Sequence, residues 1–162
     1  AFSALALGVT LFALTCDVDR DLAMLGMTCR VVEGVLGGAG IATTPALVAL
    51  AGAAGESASD APATHVLATH LMRGEGTLTA TFFAVGSLLF SWLLLRGRVI
   101  PVAMAWLGII ASALLVVVLP LQLAGFLHGL VTQIVWAPML AFEVPLAVWL
   151  MWKGARNPRG NE

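Results

Sequence analysis

Arg30, Glu33 and Glu143 are ionisable side chains set inside apolar runs long enough to cross a bilayer. A charged group at the centre of such a helix costs about 2.5–3.5 kcal/mol on insertion scales, so these residues face partners or water and mark ion, proton or substrate paths. Arg30 and Glu33 are spaced i, i+3, which puts them on one helical face within pairing distance. Glu143 belongs to a much later run and is either a second carboxylate on the same guanidinium or a neutral acid hydrogen-bonded to it. Two chemistries fit this set: Arg30 binding an anionic group, or the two carboxyls relaying protons. The bland alternative, given equal weight, is that the three groups lock helices together.

The elements that must hold these residues follow from composition. Of 162 residues 60% are apolar and 10% charged, with a mean hydropathy of +0.98, against roughly 25% charged in an ordinary soluble domain. An integral membrane protein is expected, with the lipid bilayer as its main partner. Apolar runs occupy residues 1–16, 22–50, 77–95, 99–123 and 129–152, and nothing alternates with a period of two. The expected fold is therefore all-α: a single helical bundle over residues 1–162 with five transmembrane helices.

The basic residues set the orientation. Arg20, Arg96, Arg98, Lys153, Arg156 and Arg159, six of the eight, fall on one side of that topology, which predicts a cytoplasmic C-terminus in a bacterial inner membrane. Residue 1 then starts outside, in a run of 16 residues without Met or a basic leader. A further N-terminal helix is expected ahead of it. The net charge of −1 and the lack of a basic, aromatic-studded stripe exclude nucleic acid as a partner.

Depth brings the three charged groups to one level. At 1.5 Å per residue Arg30 lies ~13 Å and Glu33 ~18 Å from Asp21, and Glu143 ~15 Å from Lys153 on an antiparallel helix. Gly34 and Gly38 form a small-xxx-small step after Glu33, where another backbone can approach closely. Pro138 and Pro145 bracket Glu143, and each removes a helical hydrogen bond, freeing the carbonyls of Ile134 and Ala141.

Other features carry less chemistry. The turn Asp17 to Asp21 has alternating aspartates but lacks the glycine and distal Glu of a calcium loop, and Asp21 reads as a helix N-cap. Asp60-Ala61-Pro62 predicts the start of a short interfacial helix on the outer side, where His65, His70, Arg73, Glu75 and His128 also fall. His65 and His70 diverge by about 140° on a helix, so no metal site is expected. Trp92, Trp149 and Trp152 sit where interfacial anchors belong. Cys16 and Cys29 are expected to be free thiols. No nucleotide loop, metalloprotease helix or nucleophile elbow occurs, so no cofactor is implied and an enzyme is not argued for.

Three stretches carry a family resemblance. The polar turn from Asp17 leading into Arg30-x-x-Glu33, the run Gly86 to Pro101 with Arg96-Gly97-Arg98, and the closing Glu143 to Gly154 with Trp149 and Lys153 together resemble the bacterial domain-of-unknown-function 4386 family. After Pro101, Val-Ala-Met replaces the basic-aromatic step of that pattern, and the outer loop is rich in Ala and Gly. The resemblance implies a small multi-pass membrane protein with one more helix at its N-terminus. It implies no activity. The residues themselves support a small-molecule or ion-handling protein with a midplane Arg/Glu/Glu site, with a non-catalytic accessory subunit of a larger membrane complex as the alternative.

Overall fold

A computed structural model describes the backbone of residues 2–54, 61–124, 126 and 134–153; the side chains of 42–44, 46–75, 123 and 153 lie outside that description. The described residues form five helices and no strand: α1 Phe2–Thr15, α2 Arg20–Ala54, α3 Ala61–Arg96, α4 Val102–Leu123 and α5 Ala137–Lys153. Within them Arg20–Ile41, Gly76–Arg96 and Val102–Gln122 are long and apolar enough to cross a membrane.

The expected count of five spans is not supported. α1 has 14 residues and α5 has 17, or ~21 and ~25 Å, short of the ~30 Å of hydrocarbon. For α5 the reason is local. Ile134 is helical, Val135 and Trp136 turn, and the helix resumes at Ala137. Pro138 therefore sits in the first turn of α5, where its missing N–H is harmless, and not inside a continuous helix as expected. Pro145 does lie inside α5. Residues 127–133, with His128, fall outside the described part of the predicted fifth span.

The expected interfacial helix is also corrected. Residues from Ala61 onward belong to α3, which runs unbroken to Arg96. The side chains of His65, His70, Arg73 and Glu75 are outside the described set. α2 and α3 have 35 and 36 residues, so each is over 50 Å long and exceeds a bilayer's hydrocarbon thickness by ~20 Å.

α3 is the central element, packed against α2, α4 and, more lightly, α1; α1 also packs on α2 and α5 on α4. The core consists of Phe90, Leu93 and Leu94 of α3 against Leu115 and Leu119 of α4 and Met139 and Phe142 of α5. Large apolar residues such as Val35, Ile110, Val117 and Leu140 point outward, the distribution a lipid-facing bundle requires.

Two turns at one end tie the bundle. Asp19, not the expected Asp21, caps α2: its Oδ1 accepts the Leu22 N–H at 3.2 Å, which satisfies a donor of the first turn. α3 ends with the Val99 N–H donating to the Leu94 carbonyl and the Arg98 N–H to that of Leu95, a Schellman arrangement with Arg98 in the left-handed conformation at φ 51°. A Cβ on the adjacent Gly97 would meet Val18 at 2.7 Å, and Arg96 reaches Asp19 at 3.5 Å. The α1–α2 and α3–α4 turns thus pack on each other.

Candidate functional site

The face α2 turns inward carries Ala23, Gly26, Cys29, Arg30 and Gly34, all buried. Small residues on that face let α3 come close. A Cβ on Gly26 would meet the Phe90 ring at 3.1 Å, and one on Gly86 would meet the Cys29 Cβ at 3.2 Å. Gly34 is buried and Gly38 half-buried; among the glycines whose surroundings are described, the tightest approaches fall at Gly8, Gly97 and Gly108. Gly8 of α1 lies against Arg30 itself: a Cβ there would stand 2.8 Å from the Arg30 Cβ.

Inside this contact Arg30 is 3% exposed. Its Nη1 donates to Glu33 Oε2 at 2.9 Å, and its Nη2 donates to Ser87 Oγ at 2.6 Å. The guanidinium carbon stands 4.6 Å from the centroid of the Phe83 ring, within cation–π range. Phe83 in turn lies against Trp136 at 5.9 Å between centroids, so the break before α5 is connected to the arginine through two rings. Arg30 is neutralised by Glu33, held by Ser87 and covered by Phe83. One donor is left over: Arg30 Nε is buried without a partner, as is Ser91 Oγ one turn along α3.

Glu143 is placed differently. It is half-buried on α5 and forms no hydrogen bond or ion pair among the described residues, although it lies within electrostatic reach of Arg30 and Glu33. It is not a second carboxylate bonded to the guanidinium. The helices explain this, because α2 packs on α3 and α1 whereas α5 packs on α4, and α2 with α5 is not among the main packed pairs. What joins Glu143 to Arg30 is a cavity of about 200 Å³ that both residues line, together with Ser87 and Ser91. Its remaining wall is apolar, with Leu11, Phe90, Leu94, Phe142, Leu146 and Leu150 among the contributors. Along α3 the wall runs from Ser87 to Leu94 and along α5 from Phe142 to Leu150, both toward the ends that carry Arg96 and Lys153. The polar groups therefore lie at the deep end of a mostly apolar slot.

A family model for Domain of unknown function (DUF4386) matches residues 1–154. The chain belongs to the DUF4386 family. No curated protein and no solved structure matches it, so the chemistry of this DUF4386 chain is read from its own residues.

Four residues of the site are absent from the sequence reading. Ser87 and Ser91 stand one turn apart on α3 just after Gly86, a small-and-polar stripe in an apolar helix that signals an interhelical hydrogen bond. Phe83 and Trp136 gave no comparable signal, since aromatic residues in such helices usually pack as core or anchors. No group of three or more His, Cys, Asp or Glu side chains that could hold a metal ion occurs among the described residues, and the side chains of His65, His70 and His128 lie outside them. Cys16 and Cys29 are free thiols.

Proposed function

We propose that this DUF4386 protein handles a small molecule or ion at a polar site within the membrane formed by Arg30, Glu33 and Glu143. The observation that carries this reading is the Glu143 carboxyl, which lines a cavity shared with a buried, neutralised arginine and has no partner among the described residues. Structural glue would be expected to consume its polar groups, because unsatisfied ones are costly in a dry interior. Here the leftover valences, Glu143, Arg30 Nε and Ser91 Oγ, all belong to residues of one cavity. In this reading α1 and α5 lie in the same bilayer as the three longer helices. The end carrying Arg20, Arg96 and Lys153 faces the cytoplasm of a bacterial cell, by the usual excess of basic residues on that side.

The reading is tested by access. In proteoliposomes of full-length protein with Cys16 and Cys29 replaced by Ser, Glu143→Cys should react with a small water-soluble methanethiosulfonate. Met139→Cys, one turn away and buried against α4, should not. Equal protection of both thiols would remove the site and leave the accessory-subunit alternative, in which the cluster only fastens the bundle.

A further inference from the structure

Resting on that site, the charge count around the cavity specifies the ligand further. Arg30 carries one positive charge and Glu33 cancels it at 2.9 Å. The guanidinium lies on Phe83, with Nη1 on Glu33 and Nη2 on Ser87; its Nε stays unpartnered, but with both Nη atoms engaged it offers less than the two-donor fork by which arginine normally takes a carboxylate or phosphate. The uncompensated group is Glu143. An inorganic cation would need several oxygen ligands, and the cavity wall is predominantly hydrocarbon. The aromatic rings of Phe90 and Phe142 flank the slot, and ring faces attract ammonium groups. Its length from Ser87 to Leu94 suits an apolar body behind a charged head.

We infer that the cavity binds a small organic ammonium: its cationic nitrogen meets the Glu143 carboxylate, and its hydrocarbon part fills the slot lined by Leu94, Phe142 and Leu146. A cavity of about 200 Å³ has room for several water-sized groups, and so for an amine with one ring or a short branched chain. Ser91 Oγ, buried and unpartnered among the described residues of the same cavity, can accept a second ammonium hydrogen from a ligand that displaces the wall slightly. Arg30 acts as a positioning residue: it holds Glu33 and Ser87, and Glu143 is the open charge among the described residues of the cavity.

The test uses three probes of one shape and different charge, benzylammonium, benzyl alcohol and benzoate, each titrated by calorimetry into the purified full chain in mild detergent. Benzylammonium should bind tightest, with benzyl alcohol weaker and benzoate weakest. Glu143→Gln should weaken benzylammonium by about tenfold or more, as expected for loss of a charge-assisted hydrogen bond, while leaving benzyl alcohol nearly unchanged. The unchanged alcohol also shows that the variant is folded. Ala147→Phe, which fills the slot from its exposed edge, should remove binding of both. Benzoate binding as tightly as benzylammonium, or a Glu143→Gln protein that keeps its benzylammonium affinity, overturns the inference. If the thiol at position 143 is water-accessible and none of the probes binds, the ammonium assignment fails while the membrane site stands; if that thiol is protected, both fall.

Discussion

On the α2–α3 side of the cavity the guanidinium of Arg30 is enclosed by Glu33, Ser87 and Phe83, whereas on the α5 side the carboxyl of Glu143 faces the same space with no partner among the described residues. Both are ionisable groups at similar depth in apolar helices, and the protein treats them in opposite ways. Where α2 and α3 pack closely, through Gly26 and Gly86, the charge is absorbed into the packing. Where α5 packs on α4 and not on α2, the charge is left for something else. A buried charge is thus part of the fold or available to a ligand according to how tightly its helix is seated.

The contrast is broken most severely from the arginine side. Arg30→Ala leaves Glu33 buried without its cation and Ser87 without its donor, a loss of about 3–5 kcal/mol for a disrupted buried pair. Thermal unfolding in detergent should show a large fall in midpoint. Glu143→Gln should stay within about 1 kcal/mol of the parent, since no protein bond is lost. Equal destabilisation by the two substitutions would erase the distinction between the two sides.

A smaller effect tests whether close seating is what encloses Arg30. Gly8→Ala places a Cβ 2.8 Å from the Arg30 Cβ, and overpacking of this kind costs about 1–3 kcal/mol. Gly76→Ala meets nothing within 4 Å and should stabilise α3 by about 0.5–1 kcal/mol through helix propensity. Unfolding midpoints moving in opposite directions would support the packing account, and two shifts of one sign would contradict it. The smallest change concerns the turn far from the cavity. Arg98 holds φ 51° at the end of α3, so Arg98→Gly should gain about 0.5–1 kcal/mol after the added chain entropy is counted. A loss of stability there would mean that the side chain contributes more than its backbone strain removes.

Much of this arrangement was legible in the sequence because hydropathy and helical spacing are local. The all-helical class, the three long apolar helices and the i, i+3 pairing of Arg30 with Glu33 follow from composition and a 3.6-residue period. The separation of Glu143 from the guanidinium did not follow. The depth estimate places Arg30 and Glu143 at one height, but height says nothing about which helix lies beside which, and α5 packs on α4 and not on α2. Ser87 escaped notice because a single hydroxyl is a weak signal until a donor is known to face it. The shortness of α5 depended on a turn at Val135–Trp136, where Pro138 marks a helix start as readily as a kink. The cap of α2 moved from Asp21 to Asp19 because three aspartates within five residues offer several caps of equal local merit.

The absence of a side chain at Gly8 has a mechanical consequence. With the α1 backbone seated directly on the β-carbon of Arg30, the first helix cannot slide or roll toward α2 without pushing the arginine, and through it Glu33 and Ser87. The slot is flanked by α1, α3 and α5, so the glycine that lets α1 sit on the arginine also fixes where that wall of the slot stands.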